Sequence, residues 1–186
     1  MAERRSHDFR LLDALGERDG ERFDATVWRV VRQGRSVLDG SRGAGRWNPR
    51  DLSVLYAAKE PNGALAEIHH HLSLGQSVFP SRIRHQLFEL KVSIENVLVL
   101  PTLTELAKLG VDESRYSELL YDRCQEIADA AAFLGFSGLV TPSARWGCHN
   151  VVLFLDAVSM DDINVVSETS VNWRNWIDEH RGPMSG

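Results

Sequence analysis

The chain has 186 residues, enough for one well-buried core and too few to call for two domains. Its 43% hydrophobic and 25% charged residues lie near the averages of globular proteins, which excludes disordered and fibrous classes. A net charge of -5 argues against a nucleic-acid binder working by general phosphate attraction, and no apolar run approaches the ~20 residues that cross a bilayer. With no apolar leader in MAERRSHDFRLL, the expectation is a cytoplasmic protein that contacts neither membrane nor nucleic acid directly.

In chain order, Phe9, Leu11, Leu12 and Leu15 predict one helix within an N-terminal extension over residues 1–24. The main domain is then residues 25–180, with 181–186 a flexible tail. ATVWRVV, Ala25 to Val31, predicts the first strand, and Arg29 inside it must reach solvent or a partner. From Gly34 to Arg50, five of seventeen residues are Gly or Pro, which predicts a loop long enough to be functional. Ser53 to Ala57 reads as a short strand with Tyr56 near its end. Pro61 to Ser73 reads as a helix with Leu65, Ile68 and Leu72 on one stripe and Glu67 on its flank.

Gln86 to Val92 and Val97 to Leu100 predict two further strands. Thr102 and Glu105 form a capping box for a short helix ending at Gly110. Tyr116, Leu119, Leu120, Cys124, Ile127, Ala128 and Ala131 predict an amphipathic helix closed by Gly135. Leu139 to Thr141 and Asn150 to Leu155 read as strands around the loop PSARWGCH. Asp162 to Val166 reads as a last strand, and Ser170 to His180 as a terminal helix burying Trp173, Trp176 and Ile177. Strands and helices mix without regular alternation, so the fold class is α+β rather than a doubly wound sheet.

Several apparent motifs fail on spacing. Gly43-Ala44-Gly45 lacks the third glycine of a dinucleotide fingerprint, because Asn48 stands there. His69, His70 and His71 are consecutive and so point about 100° apart on a helix, which keeps them from converging on one metal ion. Cys124 and Cys148 lack the spacing of a zinc site or a disulfide framework. Cys148-His149 is adjacent in sequence, whereas a thiol and its base are normally paired in space. Arg46, Tyr56 and Glu67 stand out together, a cation, an aromatic hydroxyl and a carboxylate across a loop, a strand and a helix. Singly each has an ordinary explanation: a surface ion pair, a strand tyrosine, a solvated helix residue. Together they describe a pocket that grips an anion at one end and steadies positive charge at the other.

The blocks WRV (Trp28 to Val30), GRWNP (Gly45 to Pro49), VLYAA (Val54 to Ala58), ALAEI (Ala64 to Ile68), VTPSA (Val140 to Ala144) and HNVVL (His149 to Leu153) resemble, in the same order, those of the RES-domain toxins. The resemblance covers about Ala25 to Asp156. It implies an ADP-ribosyltransferase-like mixed β core flanked by helices, consumption of NAD as co-substrate without a metal, and an Xre-type helix-turn-helix antitoxin as partner. By position, Arg46, Tyr56, Glu67 and Ser143 match the family's catalytic set, and Arg29, Arg46, Tyr56, Ser143 and Asn150 its NAD contacts. Ala44 stands where a glycine is more usual, which would stiffen the loop there.

The chemistry fits that resemblance. Cleaving the nicotinamide–ribose bond passes through an oxocarbenium-like state, and nicotinamide leaves neutral, so one carboxylate suffices, with Glu67 in that role. Arg46 and Arg29 would fork the diphosphate, Tyr56 would bound the nicotinamide ring and Ser143 would fix it. Leu65 occupies the position, two before Glu67, where many arginine-modifying transferases carry an acceptor-orienting Glu or Gln. Water, phosphate or another protein side chain remain as acceptors. A second reading uses the same arginines, a module that binds a nucleotide or anionic metabolite without turnover; a third, a structural partner of a DNA-binding repressor, holds alongside the first if antitoxin binding buries the cleft.

Overall fold

The structure, a computed structural model, describes residues 7–41, 43, 45–74 and 83–180. The expected tail at 181–186, residues 1–6 of the extension, and Ala44 lie outside the described residues.

Among the described residues six strands occur in chain order: β1 (Glu21–Arg32), β2 (Val54–Ala58), β3 (His85–Val99), β4 (Gly138–Pro142), β5 (His149–Phe154) and β6 (Ile163–Ser170). They hydrogen-bond in the order β1-β2-β5-β4-β3-β6, and β1 also pairs with β3. Five strands therefore close into a ring, and β6 lies outside it on β3. Only β3 and β4 run parallel; the other pairs are antiparallel. Among the described residues five α-helices flank the ring: α1 (Phe9–Gly16), α2 (Pro61–Leu74), α3 (Leu103–Lys108), α4 (Asp122–Phe133) and α5 (Trp173–His180). The α+β class read from the sequence, a mixed β core flanked by helices, is the class observed.

Strand alternation divides the core in two, because successive side chains leave opposite faces of a sheet. Leu55, Val140, Val151 and Leu153 join Val27, Leu90, Val92 and Val97 in one cluster. Their neighbours Val54, Leu139, Val152 and Phe154 join the helical residues Leu11, Leu15, Leu106 and Ile127 in the other. Each fully buried aliphatic side chain of this kind contributes about 1.5–3 kcal/mol. On α4 the buried residues Cys124, Ile127, Ala128 and Ala131 follow helical spacing, and Gly135 at φ 88° ends the helix in the left-handed conformation that glycine adopts without cost.

Besides β6, which runs on to Ser170 where a strand ending at Val166 is predicted and so moves the start of α5 to Trp173, the structure departs from the predicted elements in five places. First, β1 starts at Glu21, because α1 ends at Gly16 and a short link suffices. Second, the two strands predicted over 86–100 are one strand. Asn96 at φ 60° kinks it rather than ending it, and its amide donates to the Gly135 carbonyl at 2.7 Å. Third, only half of the capping box forms. Thr102 accepts from the Glu105 N–H, but the Glu105 carboxylate turns to Arg18 and Lys108 at 2.8 and 2.7 Å. Fourth, α4 begins at Asp122, and Leu119 and Leu120 are exposed. The segment from Tyr116 leaves helical geometry because the Tyr116 hydroxyl, on a buried ring, donates to the Pro142 carbonyl at 2.8 Å. Finally, Trp173, Trp176 and Ile177 of α5 are only half-buried, with both tryptophans packed on a small cluster of Val30, Ala58, Ala64 and Leu65.

Candidate active site

The loop between β1 and β2 is built around Asn48, which is fully buried. Its Oδ1 accepts from the Gly45 N–H at 3.0 Å and the Tyr56 hydroxyl at 2.7 Å. Its amide donates to the carbonyls of Ser41, at 3.3 Å, and Gly43. Tyr56 in turn accepts from the Trp47 N–H at 2.9 Å, so its hydroxyl is fully engaged in loop structure, and burial raises its pKa above the ordinary phenol value. A Cβ on Gly45 would meet Asn48 Oδ1 at 2.5 Å and the Tyr56 hydroxyl at 2.8 Å, so only glycine fits. Gln125 of α4 clips the loop to the helix layer by donating to the Gly45 carbonyl at 2.8 Å.

That loop presents Arg46. Its guanidinium lies over the rings of Tyr116 and Tyr121, 4.5 and 4.7 Å from their centroids, a geometry worth ~0.5–2 kcal/mol per pair. One Nη donates to the Glu118 carbonyl at 3.2 Å, and the other is buried without a partner among the described residues. The 116–121 segment that left helical geometry is thus the wall that holds this arginine. Arg29, reaching in from β1, is differently occupied: its two Nη groups donate to the carbonyls of Tyr56 and Asp39, each at 2.7 Å. Burial lowers its pKa to about 10. It fastens the start of the loop to β2.

Glu67, on α2, is brought to Ser143 and Asn150 across 76 and 83 residues of sequence. Its Oε1 accepts from the Ser143 hydroxyl and from the Asn150 amide, both at 2.8 Å. Oε2 has no hydrogen-bond partner among the described residues. Ser143 opens the loop between β4 and β5, and its Oγ also accepts from the Arg145 and Trp146 N–H groups at 3.1 and 3.2 Å. The hydroxyl proton therefore goes to the carboxylate and the lone pairs to the turn, which leaves the group no free hydrogen with which to fix a ligand ring. Asn150 stands opposite Ala58 of β2 in the register that sets Tyr56 opposite Val152, so Asn150 and Tyr56 leave the same face of the sheet.

Arg29, Arg46, Tyr56, Glu67 and Asn150 all line one cleft of about 420 Å³, within the ~300–1,000 Å³ typical of ligand pockets. Ser143 stands behind Glu67 rather than in the lining. The cleft is also lined by Tyr121, His70, His71 and Arg145. Seven buried side-chain polar atoms lack a hydrogen-bond partner among the described residues; one, His7 Nε2, instead lies 3.0 Å from the Asp129 carboxylate, and five belong to cleft residues: Arg29, Arg46, Trp47, His70 and Asn150. Buried polar groups are satisfied in the great majority of cases, so this concentration marks where a polar ligand fits. Burial, and after it Arg145 and His71, lowers the pKa of His70. Leu65 is absent from the cleft lining and packs with Val30, Ala58 and Ala64, which do line it. Among the described residues no group of three or more His, Cys, Asp or Glu is placed to hold a metal ion. No helix among them is long and apolar enough to cross a membrane.

Sequence reasoning passed over Asn48 as a scaffold, Tyr116 and Tyr121 as the arginine clamp, and Arg145 and His70 as cleft residues. Asn48 had one available signal, an amide inside GRWNP flanked by aromatic and apolar residues. Tyr116 and Tyr121 had none, because their positions fit a helical stripe equally well.

The fold and the site together define a small-molecule cleft at the edge of a closed β ring, with a single pinned carboxylate and otherwise arginine charge. The family model for the RES domain matches residues 26–174, and the chain belongs to that family. Among curated proteins, Toxin Res of Pseudomonas putida KT2440 is 33% identical over 78 residues, which make up 41% of this chain and 53% of that protein. The matched stretch thus spans about half the length of that relative. Among solved structures, a chain in the crystal structure of the M. tuberculosis MbcT-MbcA toxin-antitoxin complex shares the fold. It gives a TM-score of 0.80 at 19% identity, covering 92% of this chain and 97% of that one.

Proposed function

We propose that this RES-domain protein is a cytoplasmic toxin that consumes NAD by breaking the bond between nicotinamide and ribose. The observation that carries the reading is Glu67, with one carboxylate oxygen held by Ser143 and Asn150 and the other without a hydrogen-bond partner among the described residues, in a cleft whose remaining formal charges are all arginine. A carboxylate fixed in this way needs little reorganisation as positive charge grows nearby, which is the condition for electrostatic stabilisation of an oxocarbenium-like state. The C–N bonding pair departs with nicotinamide, which leaves neutral, so no second acid is required. The ribose carbon then takes an acceptor: water, phosphate or a protein side chain, whose proton is released. Arg46, clamped by two tyrosines with one unpaired Nη, supplies a rigid cation for the anionic part of the substrate. The ring of Tyr56 bounds the cleft, while Ser143 acts by positioning Glu67. The fold shared with a chain of a toxin–antitoxin complex supports a neutralising partner, for which an Xre-type helix-turn-helix antitoxin is the proposed identity.

The test is to incubate the purified protein, freed of any partner, with labelled NAD and cell lysate. Nicotinamide release is expected from the wild type and absent from Glu67→Ala. Label on a discrete protein band identifies a transferase, and label confined to small molecules a glycohydrolase or phosphorylase. Absence of nicotinamide release with every acceptor offered would refute the proposal, and NAD recovered intact after saturable binding would favour a non-catalytic binding module.

A further inference from the structure

The four formally charged residues lining the cleft are Arg29, Arg46, Glu67 and Arg145, three cations against one anion in a protein whose net charge is -5. Positive charge gathered in a concave site of an acidic protein focuses the field on an anionic ligand. The three arginines are not equally free to meet one. Arg29 gives both Nη groups to backbone carbonyls and keeps only its buried Nε without a hydrogen-bond partner among the described residues. Arg46 has its face covered by two tyrosine rings and one Nη on the Glu118 carbonyl. The Arg145 side chain makes no ion pair and no hydrogen bond among the described residues. Its only bond here is from its backbone N–H to Ser143 Oγ at 3.1 Å.

We infer that Arg145, with His70 beside it in the cleft, is the principal contact for the ligand's phosphate groups, and that Arg29 is a structural arginine. Three features place it. The turn that aims the Ser143 hydroxyl at Glu67 also fixes the Arg145 backbone, so the phosphate grip and the reacting carboxylate are set by one loop. His70 lines the same cleft, its buried Nε2 lacks a hydrogen-bond partner among the described residues, and Arg145 adds to burial in lowering the pKa of its imidazole. A planar guanidinium with all its donors available suits bidentate binding of phosphate oxygens. The inference rests on the proposed function only for the ligand's identity, a nucleoside diphosphate sugar; the site itself follows from the charges.

The experiment measures binding of ADP-ribose and of nicotinamide riboside, which carries no phosphate, to the full-length wild type, R145Q and R145K. R145Q is expected to weaken ADP-ribose binding by about 10- to 100-fold, as loss of a charge-assisted pair predicts, with less than twofold change for nicotinamide riboside. R145K, which keeps the charge and loses the fork, is expected to fall between. ADP-ribose affinity within twofold of wild type in R145Q overturns the inference, as do equal losses for both ligands and failure of the wild type to bind ADP-ribose. Arg145-dependent ADP-ribose binding without nicotinamide release from NAD upholds this inference while removing the proposed function. Nicotinamide release together with unchanged ADP-ribose affinity in R145Q does the reverse.

Discussion

Replacing Asn48 with alanine tests whether the arginine-bearing loop depends on a single buried amide. The substitution strips the acceptor from two donors, the Gly45 N–H and the Tyr56 hydroxyl, and the donor from the Ser41 and Gly43 carbonyls. Asn48 is 0% exposed, so water does not readily take its place. The Tyr56 hydroxyl becomes an orphaned buried donor at ~1–3 kcal/mol, while the Gly45 N–H keeps the Gly43 carbonyl at 2.9 Å and loses one bond at ~0.5–1.5 kcal/mol, for an expected loss of about 1.5–4.5 kcal/mol. For a chain of this size that corresponds to a fall in Tm of roughly 5–15 °C. Tyr56→Phe removes one of the same bonds and leaves the Trp47 N–H without its acceptor, for an expected loss of ~1–2 kcal/mol. The two sites share a bond, so the double mutant should lose less than the sum, with a coupling of about 0.5–3 kcal/mol. Urea denaturation of the wild type, both single mutants and the double mutant measures all three quantities. A loss below ~1 kcal/mol for Asn48→Ala, or strict additivity with Tyr56→Phe, would refute the reasoning.

Ser143→Ala removes one of the two donors on Glu67 Oε1, and is expected to lower nicotinamide release by about 10- to 100-fold, mainly in kcat, with KM little changed. A wild-type kcat in that variant would mean that pinning the carboxylate does not matter. His85 gives a pH dependence on the acid side. Its Nδ1 accepts from Trp173 Nε1 at 3.1 Å, which ties α5 to the sheet and requires an unprotonated nitrogen. Burial, and then Arg32, lowers its pKa below the ordinary value, so the unfolded chain takes up the proton first. The stabilisation is therefore complete above about pH 6.5 and lost as pH falls through the depressed pKa, and His69 and His70 shift in the same direction. The urea midpoint is expected to drop between pH 7 and 5 while tryptophan emission moves to the red; a flat profile would contradict the assignment.

Much of the site was legible in sequence because its members sit in blocks with unusual composition. GRWNP and ALAEI place a cation and a carboxylate where a core calls for neither, and the structure brings both to one cleft. Helix α2 and strands β2, β4 and β5 fall within a residue or two of their predicted bounds, since their apolar runs are short and bounded by Gly, Pro or charged residues. What local pattern could not reveal was how polar groups are spent. Arg29 matches a diphosphate contact by position; the bonds its two Nη groups make are to carbonyls at positions 39 and 56, and carbonyls carry no sequence signal. Tyr116 reads as the start of a helical stripe. Its escape from the helix depends on a carbonyl at 142 and a guanidinium at 46, both remote in sequence. Asn96 shows the limit in a strand: an asparagine between two apolar runs is as good a terminator as it is a kink, and the Gly135 carbonyl it binds decides the matter.

The ring closes through β5, which pairs with β2 on one side and β4 on the other. Without it, β2 is joined to β1 by the single register pair Trp28 and Ala58, and Glu67 lacks Asn150. During synthesis, the arginine loop, β2 and the glutamate helix all emerge before the strand that connects them to Ser143 and Arg145. A nascent chain or a proteolytic fragment ending before residue 149 thus carries every group of the opening motif and no assembled cleft. The strand order itself defers assembly of the cleft until the last central strand is in place.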